Sequence, residues 1–319
     1  MNALLEIKNL QIDLMTAHGI VYAVRGVDLS VNKGEALGIV GESGCGKSVC
    51  VKSVLRLHDE KKTDYRGEIF LDGQDVLKKP EKDMPKLRGL KAALIFQDPM
   101  SALNPTMKVG EQIAETLRDK IKMTHAKAKA ETLRLLELTG ITPPGERYGQ
   151  YPFELSGGML QRVTIAMAIS CKPDLLIADE ATTALDVTIQ AGILELLRTL
   201  KEQTGMALIV VTHDFGVVAE LCDRVAVMYA GWIVESCGVC EIFDRPKHPY
   251  TRALLNSAPK SGQPGKGLLA IPGTPPDLYQ KQTGCPFLSR CGVKRHECAQ
   301  SDPAFKSVAK DHIYRCIHD

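Results

Sequence analysis

Three groups of residues in this sequence have the types and spacing to do chemistry. The first is Gly41-Glu42-Ser43-Gly44-Cys45-Gly46-Lys47-Ser48-Val49, in which two glycines bracket four residues and are followed by Lys and Ser. Glycines let a loop turn its amides onto phosphate, and a helix N-terminus behind the loop adds partial positive charge. The lysine then reaches terminal phosphates and the serine hydroxyl takes Mg²⁺. The second group is Leu175-Leu176-Ile177-Ala178-Asp179-Glu180, an apolar run ending in two acids. Side chains alternate along a strand, so adjacent carboxylates at its end point apart and can divide the work. Asp179 suits a Mg²⁺ shell and Glu180 the polarising of an attacking water. The third is Cys285, Cys291, Cys298 and Cys316, four of the ten cysteines, gathered near the end of the sequence. Four thiolates fit a [4Fe–4S] cluster or a tetrahedral zinc, and spacing alone favours neither strongly; the paired C-x-x-C knuckles typical of structural zinc are absent from this segment. Cys237 and Cys240 do form a C-x-x-C, but without a partner pair it reads as incidental.

The elements that must position these groups alternate between strand and helix. Ala36-Leu37-Gly38-Ile39-Val40 reads as a buried strand feeding straight into the glycines, and Ser48 to Leu57 reads as helix behind them, the setting a phosphate loop requires. Short strands are predicted over Leu4 to Leu14 and Ala23 to Val31. Helical spacing over Val109 to Ile121 and Ala126 to Leu138 marks an insertion. From Leu175 the alternation resumes, with a helix over Val187 to Leu200 and a buried strand over Ala207 to Val211. The fold class is α/β with a parallel sheet. After about residue 258 Pro, Gly and Cys dominate, so two domains are expected: residues 1–257, with a core of 1–97 and 158–257 around a helical subdomain 98–157, and a C-terminal extension 258–319. The metal site of the extension is expected to lie far from the phosphate loop.

Composition removes other classes. With 44% hydrophobic and 24% charged residues the chain can bury a large core. Its 40 Lys and Arg against 38 Asp and Glu leave a net charge of +2, which does not favour a polyanion-binding surface, so nucleic acid is not expected as a partner. The longest apolar runs are strand-sized and the opening residues lack a basic flank before an apolar region, so the chain is expected to be soluble and unexported, with thiols kept reduced unless a metal occupies them.

Leu155-Ser156-Gly157-Gly158-Met159, followed by Gln161-Arg162, resembles the signature loop of ATP-binding cassette proteins. It offers a second helix-N-terminal anion site. A chain cannot fold its own signature onto its own phosphate loop, so the resemblance implies two subunits facing head to tail. Gln97, within Ile95-Phe96-Gln97-Asp98-Pro99, matches the glutamine that senses Mg²⁺; Asp186, after Ala184-Leu185, matches the loop that crosses the dimer interface; His213 matches the switch histidine at the γ-phosphate. The implied fold is a RecA-like parallel-sheet core with an antiparallel β subdomain and a helical subdomain. Two departures stand out. Leu14 sits where many cassettes place an aromatic that stacks on adenine, leaving Tyr22 as the nearest aromatic, and Ala181 replaces the proline usual after the catalytic glutamate.

Phe96 to Pro105 and His248-Pro249-Tyr250-Thr251-Arg252-Ala253-Leu254-Leu255 are similar to the oligopeptide/dipeptide and nickel importer subfamily, and this likeness covers the whole chain. It implies an ATP hydrolase that uses ATP and Mg²⁺: Lys47 and the loop hold phosphates, Ser48, Gln97 and Asp179 organise the metal, Glu180 activates water, and His213 stabilises the transferring phosphoryl. The implied task is peptide uptake, with nickel or a metal chelate as the alternative cargo. Implied partners are a second, homologous ATPase subunit in a heterodimer, two integral permeases and an extracytoplasmic binding protein, with this chain peripheral on the cytoplasmic face of the inner membrane. Related tails carry a four-cysteine iron–sulfur motif, which implies a [4Fe–4S] cluster over Zn²⁺. A non-transport cassette of DNA repair or translation usually brings a long coiled-coil insertion or a second cassette, and the sequence has neither.

Overall fold

The computed structural model describes residues 3–182, 186–257, 270–309 and 311–318. The chain divides into two compact units: Met1–Asn32, Ala36–Lys78 and Val211–Asp319 form one, Lys33–Glu35 and Lys79–Val210 the other. The division expected near residue 257 is not where the units part, because the C-terminal segment is built into the first of them.

That first unit holds an antiparallel sheet in the order Gly19–Val31, Leu5–Thr16, Thr63–Leu71, Gln74–Asp75. Along Leu5–Thr16 the buried residues are Leu5 and Ile7, then Leu10 and Ile12. A one-sided sheet demands a period of two, and the slip between Ile7 and Leu10 is a bulge at Asn9, whose φ of 44° lets both pairs face the core. A further set of strands runs in the order Lys306–Ala309, His312–Tyr314, Trp232–Gly238, Arg224–Tyr229, Ala36–Val40. Ala36–Val40 is buried along its length and parallel to Arg224–Tyr229, while the other pairings are antiparallel. Two strands of the C-terminal segment therefore extend this sheet. Phe287 from the same segment packs with Tyr229, Trp232 and Tyr250 in one apolar cluster.

A buried carboxylate pins the junction. Glu235 lies 2.8 Å from His312 Nε2 and accepts the amides of Lys247 and His248 at 2.7 and 2.9 Å. Glu235, Cys237 and His312 bring three possible metal donors within 4.8 Å of one another. These hydrogen bonds satisfy the carboxylate, so the group reads as a structural pin.

In the second unit Leu175–Asp179 is buried throughout and pairs in parallel with Ala92–Ile95; Ala207–Thr212, most of which belongs here, flanks it on the other side. Helices Val109–Ile121, His125–Leu138, Gly157–Ile169 and Val187–Thr204 complete the unit. Buried Gln112 accepts from the Asn104 amide at 2.9 Å and donates to the Asn104 and Met107 carbonyls at 2.9 and 2.8 Å, which fixes the chain just beyond Gln97. Among the described residues no helix is long and apolar enough to cross a membrane.

Removing the Glu235 carboxylate strands two amides and an imidazole in the interior. Glu235→Ala is expected to lower stability by about 3 kcal/mol and Glu235→Gln by about 1. Urea unfolding followed by the fluorescence of Trp232, the single tryptophan and a neighbour on the same strand, reads both values.

Candidate functional site

The glycine loop leaves the buried strand Ala36–Val40 and ends at the helix Lys47–Ser53. Gly46 adopts φ 103°, and a Cβ there would lie 2.2 Å from the Ala23 carbonyl oxygen, so only glycine fits. Gly44 also has a positive φ, 76°, but faces open space. Lys47 is buried, and its ammonium donates to the Gly41 and Glu42 carbonyls at 2.7 and 2.9 Å, which holds a cation inside the loop. Cys45 is buried with its thiol pKa raised by that burial, while Ser43 and Gly44 are exposed and Ser48 and Val49 half-buried. In the same unit His213 is exposed at the end of Ala207–Thr212. Tyr22 is half-buried on Gly19–Val31. Its amide donates to the Leu278 carbonyl at 2.9 Å, and the Lys281 ammonium stands 5.3 Å over its ring.

The second unit brings Gln97 and Glu180 together, the amide donating to the carboxylate at 2.9 Å. Glu180 has φ 50°, a left-handed conformation that costs a side-chain-bearing residue about 1–3 kcal/mol and is held only where the surroundings over-determine it. Asp179, at the end of the buried strand, is itself buried. Ser156 caps the helix Gly157–Ile169, accepting from the Met159 amide at 3.4 Å. Ser156 and Gly157 are exposed, whereas Leu155 and Gly158 are buried, a Cβ on Gly158 lying 2.8 Å from Ile189. Asp186 caps Val187–Thr204 by accepting from the Ile189 amide at 2.9 Å. Ala184 and Leu185 lie outside the described residues.

The four tail cysteines line one cavity together with His248 and His318. Burial pushes the Cys285 thiol up to about 11 and raises those of Cys291 and Cys316. Nε2 of His248 and Nε2 of His318 are buried without a hydrogen-bond partner among the described residues, and burial pulls the His248 pKa down to about 3. Cys237 is buried and Cys240 exposed, so the C-x-x-C does not present two thiols to one site. The tail is not remote from the phosphate loop. Arg290, beside Cys291, forms a two-pronged ion pair with Glu42 at 2.6 and 3.0 Å, and the Glu42 amide donates to the Tyr250 hydroxyl at 2.9 Å. Sequence reasoning missed Arg290 and Tyr250 as neighbours of the loop. The His248-Pro249-Tyr250 run was the one signal at hand, and it carried no geometry.

Comparison with known proteins places these features in a family. Residues 24–183 match the ABC transporter family, half of the chain. The chain belongs to the ABC transporter family. Residues 234–298 match the oligopeptide/dipeptide transporter C-terminal region. The dipeptide transport ATP-binding protein DppD of Bacillus subtilis is 47% identical over 99% of this chain and 95% of its own length; OppD, the oligopeptide transport ATP-binding protein of the same organism, is 51% identical over 98% and 88%. Among solved structures, the dimeric post-hydrolysis state of the ATP-binding cassette MJ0796 bound to ADP and Pi matches at TM-score 0.67 and 27% identity, covering 74% of this chain and 98% of that one. The chain is thus an ATP-hydrolysing transporter subunit with the ABC ATPase fold, as its signature loop implies.

The contrast between the two loop glycines is testable. Gly46→Ala forces the new methyl into a backbone carbonyl and is expected to weaken ATP binding by about a hundredfold or more, whereas Gly44→Ala, strained but unobstructed, costs about tenfold or less. Equilibrium titration with nucleotide distinguishes them.

Proposed function

We propose that this cassette hydrolyses ATP at a head-to-tail interface with a second, homologous ATPase subunit and so drives peptide uptake through two permeases fed by a binding protein, working from the cytoplasmic face of the membrane. The observation that carries the reading is the buried Lys47 ammonium, held by carbonyls inside a loop that only glycine can close. The roles follow residue by residue. Gly41 to Val49 and Lys47 take the phosphates; Ser48, Gln97 and Asp179 serve Mg²⁺; Glu180 orients and deprotonates the water; His213 contacts the γ-phosphoryl. Leu155 to Met159 and the Ala184-Leu185-Asp186 loop serve the partner's nucleotide. Tyr22 is the aromatic offered to adenine, with the Lys281 ammonium over its ring. Peptide is the cargo assigned over nickel because the relatives carry dipeptide and oligopeptide names.

The four cysteines would hold a [4Fe–4S] cluster. Thiolates around tetrahedral zinc stand about 3.8 Å apart, given Zn–S bonds of about 2.3 Å. Among the described residues, however, the three possible metal donors within 4.8 Å are Glu235, Cys237 and His312, and none is a tail cysteine. A cubane interposes iron and sulfide between its ligands, and the four thiols line one cavity that could seat it. The orphaned imidazole nitrogens in the wall would find acceptors on it. Bound there, the cluster supplies folding energy to a segment with little apolar burial of its own.

Glu180→Gln is expected to bind ATP and yet turn over about 10³-fold more slowly, the loss of a general base. Near-normal steady-state hydrolysis by the assembled transporter would overturn that role. Protein purified without oxygen is expected to be brown with about four irons per chain. Stoichiometric zinc without iron would leave only the thiolate site.

A further inference from the structure

A carboxylate is an awkward occupant of a phosphate cradle, because a free negative charge there repels the triphosphate. Glu42 is such a carboxylate, and the C-terminal segment manages it from two sides. Arg290, its side chain 3% exposed, grips both carboxylate oxygens and is itself fixed by donation from Nε to the Pro272 carbonyl at 2.9 Å and from Nη1 to the Tyr229 hydroxyl at 3.3 Å. Tyr250, whose hydroxyl takes the Glu42 amide, packs its ring 4.4 Å from Tyr229 and 5.3 Å from Phe287. Both residues then lead to the four-cysteine cavity. Arg290 directly precedes Cys291. The Tyr250 amide donates to His248 Nδ1 at 3.1 Å, so the imidazole proton sits on Nε2 of a ring that lines the cavity.

We propose that Arg290 and Tyr250 are positioning residues of the phosphate loop, tying Glu42 back from the nucleotide, and that through them the integrity of the four-cysteine site sets ATP affinity. The coupling is reciprocal, so bound ATP steadies the cysteine site by the same factor. The inference rests on Gly41 to Val49 being the phosphate cradle, and a separate variant, Lys47→Ala, tests that reading: unchanged ATP affinity there would sink the cradle itself, whatever Arg290 does.

The experiment titrates the full chain with ATP and with ADP by displacement of a fluorescent ATP analogue. Arg290→Met, which leaves Glu42 uncompensated, is expected to weaken ATP about tenfold, the scale of one charge-assisted hydrogen bond, and ADP less. Adding Glu42→Gln to Arg290→Met removes the stranded charge and is expected to return ATP affinity to within about threefold of the unaltered chain. A merely structural strut predicts no such rescue, and equal weakening of ATP and ADP. Cys291→Ser is expected to weaken ATP in the same direction and to add little to Arg290→Met. Unchanged affinity in Arg290→Met, or a double variant no better than the single, overturns the positioning role; unchanged affinity in Cys291→Ser overturns the link to the cysteine site. Should Arg290→Met fail to unfold cooperatively at Trp232, Arg290→Lys carries the test: it keeps the charge and loses the fork, so a smaller loss supports the proposal and full affinity overturns it.

Discussion

The ion pair between buried Arg290 and half-buried Glu42 is the constraint on which the first unit's arrangement turns. A guanidinium taken out of water is tolerated only when a carboxylate meets it with good geometry, while Glu42, 26% exposed, keeps part of its hydration. Here the fork geometry is met at 2.6 and 3.0 Å across 248 residues of sequence. The surroundings serve that contact. Tyr229 lends a hydroxyl to the guanidinium and, 5.9 Å from it, a ring face; Tyr250 and Phe287 wedge against Tyr229, and the strands Lys306–Ala309 and His312–Tyr314 extend the sheet that contains it. The C-terminal segment is thereby ordered by apolar packing of Phe287, by strand pairing and by polar contacts, one of which reaches the glycine loop.

The second unit holds a carboxylate in one direction. Glu180 follows a fully buried parallel strand, which spends no freedom at Asp179 and forces the turn at the next residue. Its left-handed φ and its bond from Gln97 fix the carboxylate in direction. Ser156 and Asp186 prepare two helix N-termini in the same manner.

The family and its ABC ATPase fold were legible because spacing carried a mechanism. The phosphate loop, the acid-ended strand and the signature loop each name residue types that work at only one spacing, and the helix predicted over Val109 to Ile121 forms with those bounds. What was not legible had no periodicity to show it. Lys306-Ser307-Val308-Ala309 is a largely exposed edge strand without alternation, so a proline-rich tail read as an appendage although it joins a sheet. Arg290 looked like one more basic residue among forty Lys and Arg. Its partner lies in another part of the sequence, and no local pattern points from one to the other.

Because Arg290 and Tyr250 bind Glu42, nucleotide that orders the glycine loop is expected to order the C-terminal segment with it. Hydrogen–deuterium exchange of the full chain with and without Mg²⁺ and ATP tests it most directly. Protection gained over residues 41–49 is expected to be accompanied by protection over 248–252 and 285–291. Protection confined to 41–49, with the C-terminal peptides exchanging at an unchanged rate, would contradict it.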